Sequence, residues 1–165
     1  MRLANRRIYE RREGDLRNMG STLAALIVRP GKAIVAHLGD SRIYRLRASV
    51  LTQLTRDHSL YEQLLAAGAS DLPPLDQFAY ANVVTRALGA AEHDRPELRT
   101  LDLQDGDVYL LCSDGLSGVL GPPAITTLLA SSPIEAVADA LVAAAFAAGS
   151  KDNITAIAVQ VRREP

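Results

Sequence analysis

The chain has 165 residues, 48% of them apolar and 22% charged, with a formal net charge of -1. This length supports one domain with a core of its own, and the balanced charge gives no electrostatic case for nucleic acid or an anionic membrane surface. A single cysteine, Cys112, excludes an intrachain disulfide and the usual thiolate zinc sites, and no apolar run is long enough to cross a bilayer.

Residues 1–12 lack Gly and Pro and read as a helix that starts without an N-cap residue. Their charge does not match a secretory signal, and the single cysteine fits a reducing cytoplasm, the expected compartment. LAALIV (23–28) and AIVAHL (33–38) flank RPGK, whose Pro-Gly is a type II turn signal, so the two are expected to form a hairpin. The unbroken apolar run 23–28 predicts a strand buried on both faces. IYRL (43–46) and VLTQL (50–54) read as a second hairpin. HSLYEQLLAAG (58–68) has helical spacing and stops at Gly68. A polar, Pro-containing stretch (69–78) and a short helix around 79–88 are expected next. VYLLC (108–112) is a buried strand, and 123–131 and 133–149 are helices. Ser132 and Glu135 form a capping-box pattern with Pro133 at the first helical position, and Gly149 ends the helix. ITAIAVQV (154–161) closes as a strand. Strands first, then helices, then a returning strand predict a mostly antiparallel α+β fold.

Three acids share one local pattern. Asp40 follows an apolar strand in GDSRIYR, Asp114 follows VYLLC in LLCSDGLS, and Asp152 precedes the last strand in SKDNITAIAV. Each sits at a strand end beside Gly, Ser or Asn. All three fit ordinary turns, because short polar side chains and Gly bond and bend the backbone there. If the ends converge, three carboxylates repel unless a proton or a cation intervenes. An all-oxygen donor set suits Mg²⁺ or Mn²⁺, and a pair of such ions can orient water for in-line attack on phosphorus.

Six segments in order carry a resemblance. NMGSTLAALIV (18–28), AHLGDSRIYRLR (36–47), LTQLTRDHSL (51–60), VVTRALG (83–89), DVYLLCSDGLSGVL (107–120) and SKDNITAIAV (150–159) resemble the PPM-type (type 2C) metal-dependent protein serine/threonine phosphatases in their bacterial form. The resemblance implies a sandwich of two antiparallel β-sheets flanked by helices (α-β-β-α), here one partial domain over 1–165. It implies hydrolysis of phosphoserine and phosphothreonine by metal-activated water, with Mn²⁺ or Mg²⁺ as cofactor. By motif, Asp114 and Asp152 would bind the paired metals, and Asp114 with Asp40 a third, weaker ion beside a flap at about 59–82. Implied partners are phosphorylated protein substrates, those of a bacterial Ser/Thr kinase in particular.

The pattern also departs from the family. No Asp-Gly-x-Gly-Gly segment occurs, and its Asp would bridge the central pair of ions. The resemblance places that segment, a phosphate-binding Arg and a few strands ahead of Met1, so the fold is expected to be incomplete at the N-terminus. Three expectations follow: weak or absent activity for this chain alone, exposed sheet edges inviting self-association, and survival of the Asp40/Asp114 site. Two other readings stay open: the same chemistry on a phosphorylated anti-sigma-factor antagonist, and a catalytically dead binding module on the same scaffold. Among the remaining residues, His58 is expected in a structural or flap-hinge role and Asp57 as a helix cap. Arg42 could contact phosphate but is expected to pair with an acid or pack its stem, and Cys112 should be a buried small hydrophobe. Ser41 and Ser113 lack an adjacent base and are not nucleophiles.

Overall fold

The computed structural model describes residues 1–162. Two antiparallel sheets are formed among them. The first has the order β1-β2-β5, from Leu23–Arg29, Lys32–Leu38 and Glu97–Asp102; the second has the order β4-β3-β6-β7, from Val50–Gln53, Arg42–Arg47, Val108–Cys112 and Ala156–Gln160. Both expected hairpins form. Arg29 pairs with Lys32 around Gly31, whose φ of +71° is the left-handed value the Pro-Gly turn needs, and Arg47 pairs with Val50 around Ala48 and Ser49.

Alternation along β6 explains why two sheets and a helical layer stay together. All five of its residues are buried. Val108, Leu110 and Cys112 point to one side and pack with Tyr44 and Leu46 of β3 and Ala158 of β7 against a helical layer. That layer is α4 (Pro122–Ser131) and α5 (Ile134–Ala147), which contribute Ile125, Leu129, Val137 and Leu141. Tyr109 and Leu111 point the other way, between the sheets, to Ile43, Ala33 and Val35. One strand thus supplies two cores, and each fully buried Leu contributes ~1.5–3 kcal/mol of hydrophobic stabilisation. The sequence-predicted α+β sandwich with flanking helices is the observed architecture.

Several local expectations differ. β1 is an edge strand paired only with β2, and Ile27 and Val28 are exposed, so its apolar run does not mark burial on both faces. The helix expected around 79–88 is a chain of turns held by isolated bridges, Ser21 to Leu88 and Ser59 to Val84. At α5 no side-chain cap forms; Ser132 instead closes α4 in an extended conformation and Pro133 stands just before the helix. β5 and the four-residue α3 (Asp114–Ser117) carried no recognised signal. β5 reads ELRTLD, mostly exposed and half charged, so its apolar content is too low to mark a strand. α1 (Arg2–Tyr9) is shorter than expected and is anchored by Asn5, whose side chain donates to Ala91 O and Glu92 O and accepts from Gly89 N–H. No helix among the described residues is long and apolar enough to cross a membrane.

One buried charge closes the sandwich at the start of β6. Asp107 is 1% exposed and takes both arms of Arg47, at 2.6 Å each, plus the Gln104 amide at 3.0 Å. Burial pushes this carboxyl up, but the bonds to Arg47 and Gln104 outweigh it and hold it below the ordinary carboxylate range. A depressed folded-state pKa gives stability that is present at neutral pH and lost as pH falls through that range. Asp107→Ala strands the guanidinium, and chemical denaturation should show a loss of about 3 kcal/mol. The variant should also lose stability less steeply than the parent on acidification below about pH 4.

Candidate metal site

The turn from β2 to β3 holds Asp40 by contacts on both sides. Gly39 has φ +111°, and a Cβ there would lie 2.5 Å from Thr22 Cγ2, so only glycine fits. Gly39 N–H donates to His58 Nδ1 at 3.0 Å, and His58 N–H donates to Gly39 O at 2.8 Å. Thr22 Oγ1 and Ser41 Oγ are hydrogen-bonded at 2.9 Å. The turn is therefore fixed to Thr22, just before β1, and to the segment that follows β4.

The other two acids are brought together by a serine. Ser113 Oγ donates to Asn153 O and accepts from Thr155 N–H, both at 3.0 Å, while Ser113 N–H donates to Thr155 O at 3.1 Å. Ser150 Oγ adds a bond to Gly115 O at 2.7 Å. These bonds draw the SDG and KDN segments so close that a Cβ on Gly115 would lie 2.4 Å from Asn153 O. Asp114 Oδ1 accepts its neighbour's Gly115 N–H at 2.9 Å, and Asp152 Oδ1 accepts Asn153 N–H at 2.7 Å. Both are the turn bonds the sequence suggests. They use one oxygen of each carboxylate, and the second makes no hydrogen bond to a described residue.

All three acids line one cleft of about 780 Å³, together with Asn82, Ser150 and Lys151. An adjoining cleft of about 700 Å³ shares Asp40 and Asp114 and runs beneath segment 59–82, lined there by Tyr61 and Phe78. Asp40 and Asp114 stand where the two clefts meet. Burial, and then the charge of Asp114, push the Asp40 carboxyl above its ordinary value. The aspartates do not close on a single point: among the described residues, the group of acids and histidines whose donor atoms all lie within 4.8 Å is His37, His58 and Glu97. Three carboxylates lining one cleft, two of them with an oxygen outside any hydrogen bond to a described residue, make a donor set suited to hard cations completed by water.

The other expectations are mixed. Asp57 is no helix cap. It takes Arg42 in a bidentate pair at 2.8–3.0 Å, and Ser59 caps α2 (Leu60–Ala66) instead by accepting Glu62 N–H. Arg42 pairs with an acid as expected and also donates to Tyr44 OH. His58 has a structural role: besides its bonds to Gly39, its carbonyl accepts from Thr85 N–H and Oγ1, which ties the two ends of segment 59–82 together. Burial pushes the Cys112 thiol up to about 12, so it is a core residue. Ser41 and Ser113 bond to Thr22 and to the Asn153–Thr155 backbone, with no base beside them. His37, Arg86 and Glu97 were not singled out in the sequence; Glu97 lies on the strand that gave no signal.

The model of the protein phosphatase 2C family matches residues 2–151. The chain belongs to the protein phosphatase 2C family. It is 34% identical over 166 residues to protein phosphatase PhpP of Streptococcus pneumoniae, covering 99% of this chain and 68% of that one. Its fold superposes with a TM-score of 0.87 and 32% identity on the serine/threonine phosphatase PstP/Ppp of Mycobacterium tuberculosis, covering 96% of this chain and 68% of the other. A PstP catalytic domain in complex with two manganese ions gives 0.86 and 33%, covering 98% and 68%. The chain thus spans about two thirds of the length of each. Family members are serine/threonine phosphatases that use Mn²⁺ or Mg²⁺. The donor set found here, three aspartates without cysteine, is chemically suited to those ions. Gly115→Ala should force the SDG and KDN segments apart. The expected result is a loss of about 1–3 kcal/mol by thermal denaturation, with weaker Mn²⁺ binding by titration calorimetry.

Proposed function

We propose that this chain carries the Asp40/Asp114/Asp152 side of a protein phosphatase site acting on phosphoserine and phosphothreonine. The observation that carries the reading is that all three acids line one cleft, with Asp40 and Asp114 shared with the adjoining cleft beneath segment 59–82. Asp114 and Asp152 would hold the central pair of Mn²⁺ or Mg²⁺ ions, and Asp114 with Asp40 a further ion next to the mobile cover, residues 59–82. When bound, such ions lower the pKa of coordinated water and neutralise charge on the phosphoryl group. The chain's own residues do the rest. Ser113 and Gly115 keep Asp114 against the Asp152 loop, Gly39 and His58 hold Asp40 in place, and Tyr61 and Phe78 wall the approach.

Asp114 and Asp152 are too few donors to fix two ions about 4 Å apart without a bridging carboxylate. On this reading the chain, one partial phosphatase domain, turns over slowly by itself. Its substrates would be phosphorylated proteins, those of a Ser/Thr kinase in particular, and its compartment the cytoplasm, where the Cys112 thiol stays reduced. A second reading, a non-catalytic binding module, is favoured by one observation, the lack of any Asp-Gly-x-Gly-Gly in the sequence. The open edge at β1, with exposed Ile27 and Val28 on it and Leu98 on β5, would support self-association.

The deciding experiment is a phosphopeptide assay with Mn²⁺ on the chain and on a version extended upstream to include the bridging segment. The expected outcome is turnover well below ~1 s⁻¹ for the chain and an ordinary rate for the extended form. An ordinary rate for the chain alone contradicts the incomplete-site reading. No activity in the extended form favours the binding module. Asp40→Ala should leave the chain folded and weaken Mn²⁺ binding; unchanged binding removes Asp40 from the site. Sedimentation should show a concentration-dependent dimer, and a strict monomer rules out edge pairing.

A further inference from the structure

His37 is the least explained polar group in the molecule. It lies on β2 with its side chain on the inner face beside Val35, is 2% exposed, and neither ring nitrogen has a hydrogen-bond partner among the described residues. Burial holds its pKa down, so the imidazole stays neutral with a lone pair available. An unsatisfied buried polar side chain destabilises a fold and calls for an explanation, one of which is an ion.

Two further donors converge on it. Glu97 is its cross-strand partner in the β2–β5 register, so the two side chains leave the same face of the sheet. His58 stacks on it, with ring centroids 4.7 Å apart and an interplanar angle of 27°. His58 Nε2 lies 2.9 Å from Glu97 Oε1, and the donor atoms of all three residues lie within 4.8 Å of one another. We propose that His37, His58 and Glu97 form a second cation site, separate from the aspartate clefts and selective for a borderline ion such as Zn²⁺.

Two imidazoles and one carboxylate make a set that suits zinc better than the hard ions favoured by three aspartates. Bonds of about 2.0–2.2 Å require donors roughly 3.3 Å apart, so the set must draw in. Glu97 has that freedom, since its side chain is 59% exposed. Arg86 now fills the gap: its Nη1 is 2.9 Å from His58 Nε2 and 3.1 Å from Glu97 Oε1. A cation can displace that one nitrogen without freeing the side chain. Nε and Nη2 of Arg86 remain bonded to Asp94, and Nη2 also donates to Arg95 O. Water takes the fourth position.

Coordination has a structural consequence. Gly39 N–H donates to His58 Nδ1, which makes Nδ1 the unprotonated nitrogen. A metal on Nε2 moves the ring proton to Nδ1 and ends that bond. Zinc occupancy is therefore reported at Gly39, next to Asp40, and loosens the turn that carries it. The inference does not depend on the phosphatase reading.

The test is Zn²⁺ titration against a chromophoric competing chelator, on the full chain carrying Asp114→Asn and Asp152→Asn so that the aspartate site does not contribute. One zinc equivalent is expected. His37→Phe, which keeps the stacked ring, and Glu97→Gln should each weaken binding at least about tenfold. Arg86→Met removes the competing charge and should tighten it. In ¹⁵N–¹H spectra the Gly39 amide should shift on zinc addition. No zinc binding, or an affinity unchanged in both His37→Phe and Glu97→Gln, overturns the proposal. If His37→Phe does not fold, the exposed Glu97→Gln decides alone.

Discussion

Ser113 Oγ takes the Thr155 amide proton and gives its own to the Asn153 carbonyl, and the relation between the last two strands' ends rests on that pair of bonds. β6 and β7 are already paired through Cys112 and Ala156, but strand pairing stops there. Beyond it Ser113 continues the connection, with its backbone N–H donating to Thr155 O and its side chain bonding Asn153 O and Thr155 N–H. Gly115, with no Cβ to obstruct, lets the two segments meet at backbone contact. Asp114 and Asp152 owe their proximity to this seam and not to any bond between them.

The second support is the clamp on Gly39. His58 bonds it through both ring and backbone, and the same residue's carbonyl receives Thr85 from the far end of segment 59–82. The intervening segment meets the core mainly through its ends and through Ser59, which both caps α2 and bridges to Val84. The neighbouring Arg42–Asp57 pair stiffens the same corner, with both side chains mostly buried. A buried bidentate pair contributes geometric constraint more dependably than net stability.

Much of this was legible in the sequence because the signals are local. The Pro-Gly turn, the alternation-free VYLLC and the Gly68 and Gly149 stops each depend on a few adjacent residues, and all appear where expected. The order of motifs led to the right sandwich. Burial of 23–28 was misjudged because an apolar run reports composition, whereas being an edge strand depends on what lies beside it. β5 was missed because ELRTLD is recruited by pairing with β2, not by its own propensity. Glu97 was lost with it, and His37 was passed over because one histidine in an apolar strand carries no pattern until its cross-strand partner is known. Asp57 illustrates the same limit: Asp-His-Ser before a helix reads as a cap, yet the partner that claims it, Arg42, is fifteen residues away.

The central claim is that three acids separated in sequence serve one cation-binding cleft. Paramagnetic line broadening in ¹⁵N–¹H spectra of the chain, with substoichiometric Mn²⁺, tests it most directly. The account predicts that amides of residues 39–42, 113–117 and 151–153 broaden together and before all others. Broadening confined to one of these segments, or first at the acids of the surface, would contradict it.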